Sequence, residues 1–363
     1  MNSNKKAVAA FEIFYYQYLN EKGEAIGELP EDIAKQPELW QKFYRNLVLN
    51  RLYDETAVKL QRTGKLGTYP PTVGQEAIGV GMGMAMHKDD IFVPYYREPG
   101  AHLTRGVLIE ELYSFWGGDE RGNNFAKDTL DLPDCIPIGT QSLHGAGIAM
   151  AMKLRGEKRA VVVSIGDGGT SQGNFYEAIN FAGVHQLPLI FVINNNHWAI
   201  SVPTELQTHA QTFAQKGIAA GVPGEQIDGN DIFAVYHHVR KAVEAAHAGQ
   251  GPYIIEAITY RMCDHTTADD ATRYCPSEEV AANKDKDPIK RLRTFMAAQG
   301  VWDEAKEKAL YTKIREEVDK AVQNYLNISP APVTDIFDYM YETWPESYHE
   351  QRDEVIAYHG GEV

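Results

Sequence analysis

Asp167 sits in a glycine turn, GDGG, directly after the β-branched run 160–165. Three asparagines, Asn194, Asn195 and Asn196, directly follow a second apolar run, 189–193. A carboxylate and an amide at the ends of successive apolar runs offer hard oxygen donors. Mg2+ takes such donors in octahedral geometry, with one or two carboxylates joined by substrate phosphates. Gly166, Gly168 and Gly169 carry no side chain that would hold a phosphate away from the backbone. A helix that starts after the turn presents its N-terminal N–H groups to an anion. The same stretch falls short of a dinucleotide fingerprint. The pattern G-x-G-x-x-G needs glycine at 171, where Ser171 stands, and the next apolar run ends in asparagines rather than a ribose-binding acid. That disfavours a nicotinamide-dependent dehydrogenase. The phosphate loop G-x-x-x-x-G-K-[ST] does not occur.

For the acid and the amide to meet, the two runs must be neighbouring strands. Phe175, Ala178, Ile179 and Ala182 recur between them at helical spacing. Strand, turn, helix and strand make a βαβ unit, hence parallel strands with a right-handed crossover. Ligands bind beyond the carboxyl ends of such strands. Ile232, Val235, Val239, Ala242, Val243 and Ala246 mark another amphipathic helix, closed by Gly249 and Gly251-Pro252, and 253–260 reads as a third strand. The alternation predicts an α/β fold, a parallel sheet with helices on both faces. Residues 39–63 are helical in pattern. The glycine- and alanine-rich stretch 74–86 predicts a helix packed closely on other backbone, and 145–154 a buried helix. Residues 1–35 are polar, 117–137 are loop-like, and 261–276 have no period, the mark of a functional or mobile loop. Beyond Pro288 the chain is helical and charged. The expected division is an N-terminal extension (1–37), an α/β domain (38–285) and a C-terminal helical extension (286–363).

The chain has 363 residues and a net charge of −15. That acidity argues against nucleic acid, which needs a basic surface, and gives no support to an anionic membrane surface. No apolar run is long enough to span a bilayer. Cys135, Cys263 and Cys275 form neither a CxxC pair nor an even framework, which suits a reducing, cytoplasmic setting. Cys263, Cys275 and His265 lack zinc spacing. The neighbouring acids Asp264, Asp269 and Asp270 are expected to order the 261–276 loop through Arg261 and Arg273.

GDG followed by a helix, a strand and NN resembles the thiamine diphosphate signature. The stretch 166–196 is similar to the alpha subunit of 2-oxo acid dehydrogenases, in their thiamine diphosphate-dependent decarboxylating component. So are TVGQEAIGVG (72–81), PYYREPG (94–100), IGTQSLHGAGIAMA (138–151), QIDGNDIFAVY (226–236) and YRMCDHTTADDATRY (260–274). The resemblance spans about residues 40–345. It implies the thiamine diphosphate-binding fold of the diphosphate-binding type, with Mg2+ held by Asp167, Asn196 and the backbone carbonyl of Trp198. It further implies Gly168, Gly169, Tyr96 and Arg97 on the diphosphate, with the guanidinium as a charge-assisted donor. Ile138 matches the backbone contact to the aminopyrimidine, and His265 a role near the cofactor in substrate handling or reductive acylation.

The resemblance also implies oxidative decarboxylation of a 2-oxo acid, pyruvate by preference, and reductive acylation of a lipoyl group on an acyltransferase partner. Branched-chain and acetoin forms are close, since a methylene or two in a pocket discriminates by only ~1–3 kcal/mol. The activating glutamate of such enzymes lies on another domain type that this chain has no evident room for. A beta subunit in a heterotetramer would supply it. A non-catalytic thiamine diphosphate-binding subunit is the competing reading of another class, and the intact Asp167, Asn196, Arg97 and His265 speak against it. One departure concerns the loop GGDERGNNF, where some family members carry a histidine and this sequence has Arg121. A guanidinium stays charged and exchanges no proton near neutral pH.

Overall fold

The computed structural model describes residues 5–125 and 129–359. The remaining parts of the N-terminal extension, of the 117–137 loop and of the C-terminal extension lie outside the described residues. Apolar runs buried on both faces form the middle of a sheet. The strands are β1 (Tyr15–Tyr16), β2 (Ile91–Val93), β3 (Val161–Gly166) and β4 (Leu189–Asn195). A small ribbon, β5 (Trp198–Ala199) and β6 (Val202–Pro203), follows, and then β7 (Gly224–Asp228) and β8 (Tyr253–Ile258). Among the described residues β1, β2, β3, β4, β7 and β8 make one sheet in the order β1-β7-β8-β4-β3-β2. Every pairing in it is parallel.

The strand period of two sends alternate side chains to opposite faces. Val162, Ile190, Val192 and Ile255 pack on one side with Ile78 and Met82 of α2 (Glu76–Ala85), and with Val235 and Val239 of a helix at Ile232–His247. Val161, Val163, Phe191 and Ile193 pack on the other with Ala146 and Ala149 of Thr140–Arg155, and with Phe175 and Ile179 of Gly173–His185. Both faces are thus covered by helices, as the alternation of elements predicts. The helix expected to be buried at 145–154 buries one face only: Leu154 is 80% exposed. The close approach expected of α2 is real. A Cβ at Gly83 would meet the Ala101 backbone at 2.8 Å, and one at Gly79 would meet the Glu98 carboxylate at 2.7 Å.

A third core lies off the sheet. The long helix α1 (Pro37–Arg62) shares it with the C-terminal helices Pro288–Ala298 and Glu304–Leu326, through Phe43, Leu47, Leu292, Phe295, Ile314 and Val318. The helical, charged tail predicted beyond Pro288 is present, docked on α1. The N-terminal stretch does more than its polarity suggests. Its residues Tyr15 and Tyr16 pair with Gln226 and Ile227 of β7, and the backbone N–H groups of Tyr18 and Leu19 donate to Asp231.

Candidate active site

The register of the sheet answers why an acid and an amide end successive runs. Gly166 of β3 lies opposite Asn194 of β4, so Asp167 and Asn196 leave the sheet side by side at its carboxyl edge. A cavity of about 620 Å³ opens there, within the range of small-molecule sites. Tyr96, Arg97, Ile138, Asp167, Gly168, Gly169, Asn196, Trp198 and His265 all line it. Asn194 and Asn195 turn away instead: Asn194 donates to Glu98 and Asn195 to Glu256.

Asp167 opens a short 3-10 turn, Asp167–Ser171, and the α-helix starts only at Gly173. The carboxylate is buried and accepts from the Gln207 amide. No cation pairs with it among the described residues, and burial pushes its carboxyl up to about 6. The turn has no space for side chains. A Cβ on Gly168 would come within 2.5 Å of the Ala199 methyl, and one on Gly169 within 2.7 Å of Ile165. Asn196 gives its amide N–H to Gln75, which leaves its oxygen facing the Trp198 N–H at 3.2 Å. Trp198 sits between two residues in the left-handed region, His197 at φ 68° and Ile200 at φ 55°. Each costs roughly 1–2 kcal/mol, so packing must hold the turn. The Trp198 carbonyl faces the Arg261 guanidinium at 3.4 Å.

Arg97 mirrors Asp167 with the opposite sign. It is 3% exposed, and no carboxylate pairs with it among the described residues. Its guanidinium donates instead to the Pro71 carbonyl, to the His265 carbonyl at 2.9 Å and to His265 Nδ1 at 3.1 Å. It also lies against the Tyr96 ring. A buried cation without a counter-charge fits an anionic ligand, and a buried carboxylate without one fits a cation. Both face one cavity, as a metal diphosphate requires. His265 is held neutral. Burial and the neighbouring guanidinium groups of Arg97 and Arg261 push it down to about 3, against the opposing charge of Asp269. Because Arg97 donates to Nδ1, the ring proton belongs on Nε2, which can then donate to an oxygen.

That neutrality has a measurable consequence. In the absence of cofactor, folded His265 binds no proton between about pH 3 and its ordinary value of 6.5, whereas the unfolded chain does. Its contribution to stability is complete above that window and is lost as pH falls through it. His265→Asn is expected to flatten part of the acid loss of stability in denaturant melts. Superimposable stability–pH curves for the two proteins would assign that loss to other groups.

The loop that carries His265 is ordered differently from the expectation. No ion pair joins Arg261 or Arg273 to Asp264, Asp269 or Asp270 among the described residues. Asp269 accepts from the His265 N–H and the Tyr274 hydroxyl, Asp264 from the Ala271 N–H, and Asp270 from the Thr272 N–H. Arg261 is buried and donates to the Ile200 carbonyl and the Tyr274 hydroxyl. Short acidic side chains capture nearby backbone N–H groups more readily than distant guanidinium groups. Arg121 does not line the cavity; it pairs with Asp119 and donates to the Ser329 carbonyl. Sequence reasoning missed Gln75 and Gln207 as supports of the site, and named Arg261 with other partners than the carbonyls and hydroxyl it binds. Gln75 lies within the quoted TVGQEAIGVG; nothing local marks Gln207.

Residues 44–330 match the model of the dehydrogenase E1 component family. The chain belongs to that family. Among its relatives is the pyruvate dehydrogenase E1 component subunit alpha of Staphylococcus aureus strain Mu50, 40% identical over 337 residues, which cover 92% of this chain and 90% of the relative. The subunit of the same name from Staphylococcus epidermidis strain ATCC 12228 matches equally, 40% over 337 residues with the same coverage. As a dehydrogenase E1 component, this chain is an oxidoreductase of the decarboxylating component that acts on 2-oxo acids, in a family dependent on thiamine diphosphate. As an alpha subunit it implies a beta subunit. No described helix is long and apolar enough to cross a membrane.

Proposed function

We propose that this chain is the alpha subunit of a pyruvate dehydrogenase decarboxylating component, working as a heterotetramer with a beta subunit in the cytoplasm and passing acyl groups to a lipoylated acyltransferase. The observation that carries the reading is the pair of uncompensated buried charges, Asp167 and Arg97, on the wall of one cavity. In this reading Asp167, Asn196 and the Trp198 carbonyl hold Mg2+. Arg97, Tyr96 and the N–H groups of Gly168 and Gly169 hold the diphosphate, and Ile138 meets the aminopyrimidine. When bound, thiamine diphosphate supplies a carbanion-stabilising centre for 2-oxo acid decarboxylation. His265, whose Nδ1 accepts from Arg97, donates a hydrogen bond from Nε2 to a substrate or lipoyl-bound acyl oxygen. The division at 37 and 285 is retained, with the N-terminal extension lending the sheet its edge strand.

The mouth of the cavity supports a beta subunit. Ile136, Ile138 and Ile200 line it and remain 49%, 44% and 56% exposed, which suits coverage by a second chain. Calorimetric titration with thiamine diphosphate and Mg2+, on the chain alone and co-expressed with its beta partner, tests this. Tight Mg2+-dependent binding is expected only in the assembly, followed by turnover of pyruvate faster than of branched 2-oxo acids. Absence of binding in both forms would remove thiamine diphosphate from the site; binding without turnover would move the non-catalytic reading to first place; preference for a branched acid would replace the substrate.

A further inference from the structure

At the opposite end of the strands from the cavity, we propose a divalent transition-metal site, of the zinc class, formed by His87, Glu244 and His247. One ligand atom from each of the three lies within 4.8 Å of the other two. Glu244 and His247 are three residues apart in the last turns of the helix Ile232–His247, so they share a face. His87 comes from the turn that leads into β2. The two imidazole rings are 4.6 Å apart between centroids, and His87 Nε2 is 2.7 Å from Glu244 Oε1.

The surroundings are built rather than incidental. Asp90 is fully buried. Its carboxylate accepts from the N–H groups of His87 and Ala160, and its Oδ1 lies 2.6 Å from His247 Nε2. A carboxylate behind an imidazole fixes its tautomer and ring orientation, the arrangement found behind metal-bound histidines. With Nε2 donating to Asp90, Nδ1 of His247 keeps the lone pair. The 87–90 turn is itself clamped, because Arg105 donates to the carbonyls of both His87 and Asp90. The opposing charge is Arg240, whose Nε lies 3.0 Å from Glu244 Oε1. Its Nη1 is anchored on the Ala85 carbonyl, and the His87 and Arg240 contacts of Glu244 both fall on Oε1. Two imidazole nitrogens and one carboxylate oxygen, with further positions open to water, suit Zn2+, and Ni2+ or Cu2+ by the same donor chemistry. A cation there ties the end of this helix to the entry of β2, elements 157 residues apart in sequence.

The test uses the chain assembled with its beta partner and saturated with thiamine diphosphate and Mg2+, so that the cavity is filled. ZnCl2 is titrated against a chromophoric chelator for wild type, His87→Ala, His247→Ala and Glu244→Gln. One zinc per alpha chain is expected in wild type. Each variant should bind it at least about tenfold more weakly, with unchanged turnover in the absence of zinc. His87 and Glu244 are partly exposed, so those two variants keep the test open if His247→Ala fails to fold. Zinc should also raise the melting temperature of wild type and not of His87→Ala. Wild-type binding weaker than about millimolar, or equal binding in wild type, His87→Ala and Glu244→Gln, would overturn the proposal and leave two His–carboxylate pairs.

Discussion

Asp167→Asn should give a chain that folds and assembles yet no longer takes up thiamine diphosphate with Mg2+. Asparagine keeps the shape and can still accept from Gln207, so the fold has no reason to change. Among the described residues, what disappears is the one carboxylate on the cavity wall. Removing one partner of a buried charge pair costs ~3–5 kcal/mol, or about two to four orders of magnitude in affinity. The sign of the stability change should be the opposite. Burial without a counter-ion disfavours the charged carboxylate, and the neutral amide escapes that cost. Above about pH 6, the cofactor-free variant should therefore be at least as stable as wild type. Calorimetry on the beta-assembled protein and denaturant melts of the cofactor-free form read the two halves separately. Wild-type affinity in the variant would remove Asp167 from the metal site; lower stability would mean that its charge is compensated after all.

Arg97→Met should be the second large effect, and its consequences should reach the loop. The substitution replaces a buried guanidinium with an apolar chain of similar length, so no cavity of consequence opens. Charge-assisted hydrogen bonds contribute ~1.5–3 kcal/mol each, and a diphosphate on a fork can take two. The concentration of thiamine diphosphate needed for half-maximal rate should rise by about a hundredfold or more. Arg97→Lys should recover little, because one ammonium cannot reproduce a planar fork. The same guanidinium holds the His265 carbonyl, so limited proteolysis within 261–276 should become faster in Arg97→Met. Unchanged cofactor dependence would separate Arg97 from the diphosphate, and unchanged proteolysis would show that Asp269 and Tyr274 hold the loop without it.

How much of this could be read beforehand depended on burial. β3, β4 and β8 are covered on both faces and therefore appear as continuous apolar runs, which made the centre of the sheet and the ends of two of its strands legible. β7 reads GEQID, with burial that alternates, so it carries no such run. β2 has three residues and β1 two, too few for any periodicity. The cavity wall was legible where the family resemblance supplied positions, and all nine of those residues lie on it. Two of its supports were not, because Gln75 and Gln207 come from distant segments and reach Asn196 and Asp167 through one hydrogen bond each. The acids near His265 misled for a local reason. Asp264, Asp269 and Asp270 bind N–H groups within seven residues of themselves, a possibility that charge counting passes over.

The edge strand β1 bears on how the sheet is assembled during synthesis. Tyr15 must pair with Gln226 and Tyr16 with Ile227, so a segment made early has no partner until two hundred more residues have left the ribosome. In that interval its two tyrosines, together with Phe11 and Phe14, are apolar surface on an unpaired chain end. β7 meets the converse difficulty. Until β1 arrives, its outer row of backbone N–H and C=O groups is an open template for any extended peptide. Loop closure over such a distance is slow and entropically costly. A truncation that removes only the first twenty residues would leave the cavity residues untouched and still expose the stretch of β7 that β1 pairs with. Its phenotype would be loss of soluble protein rather than loss of chemistry.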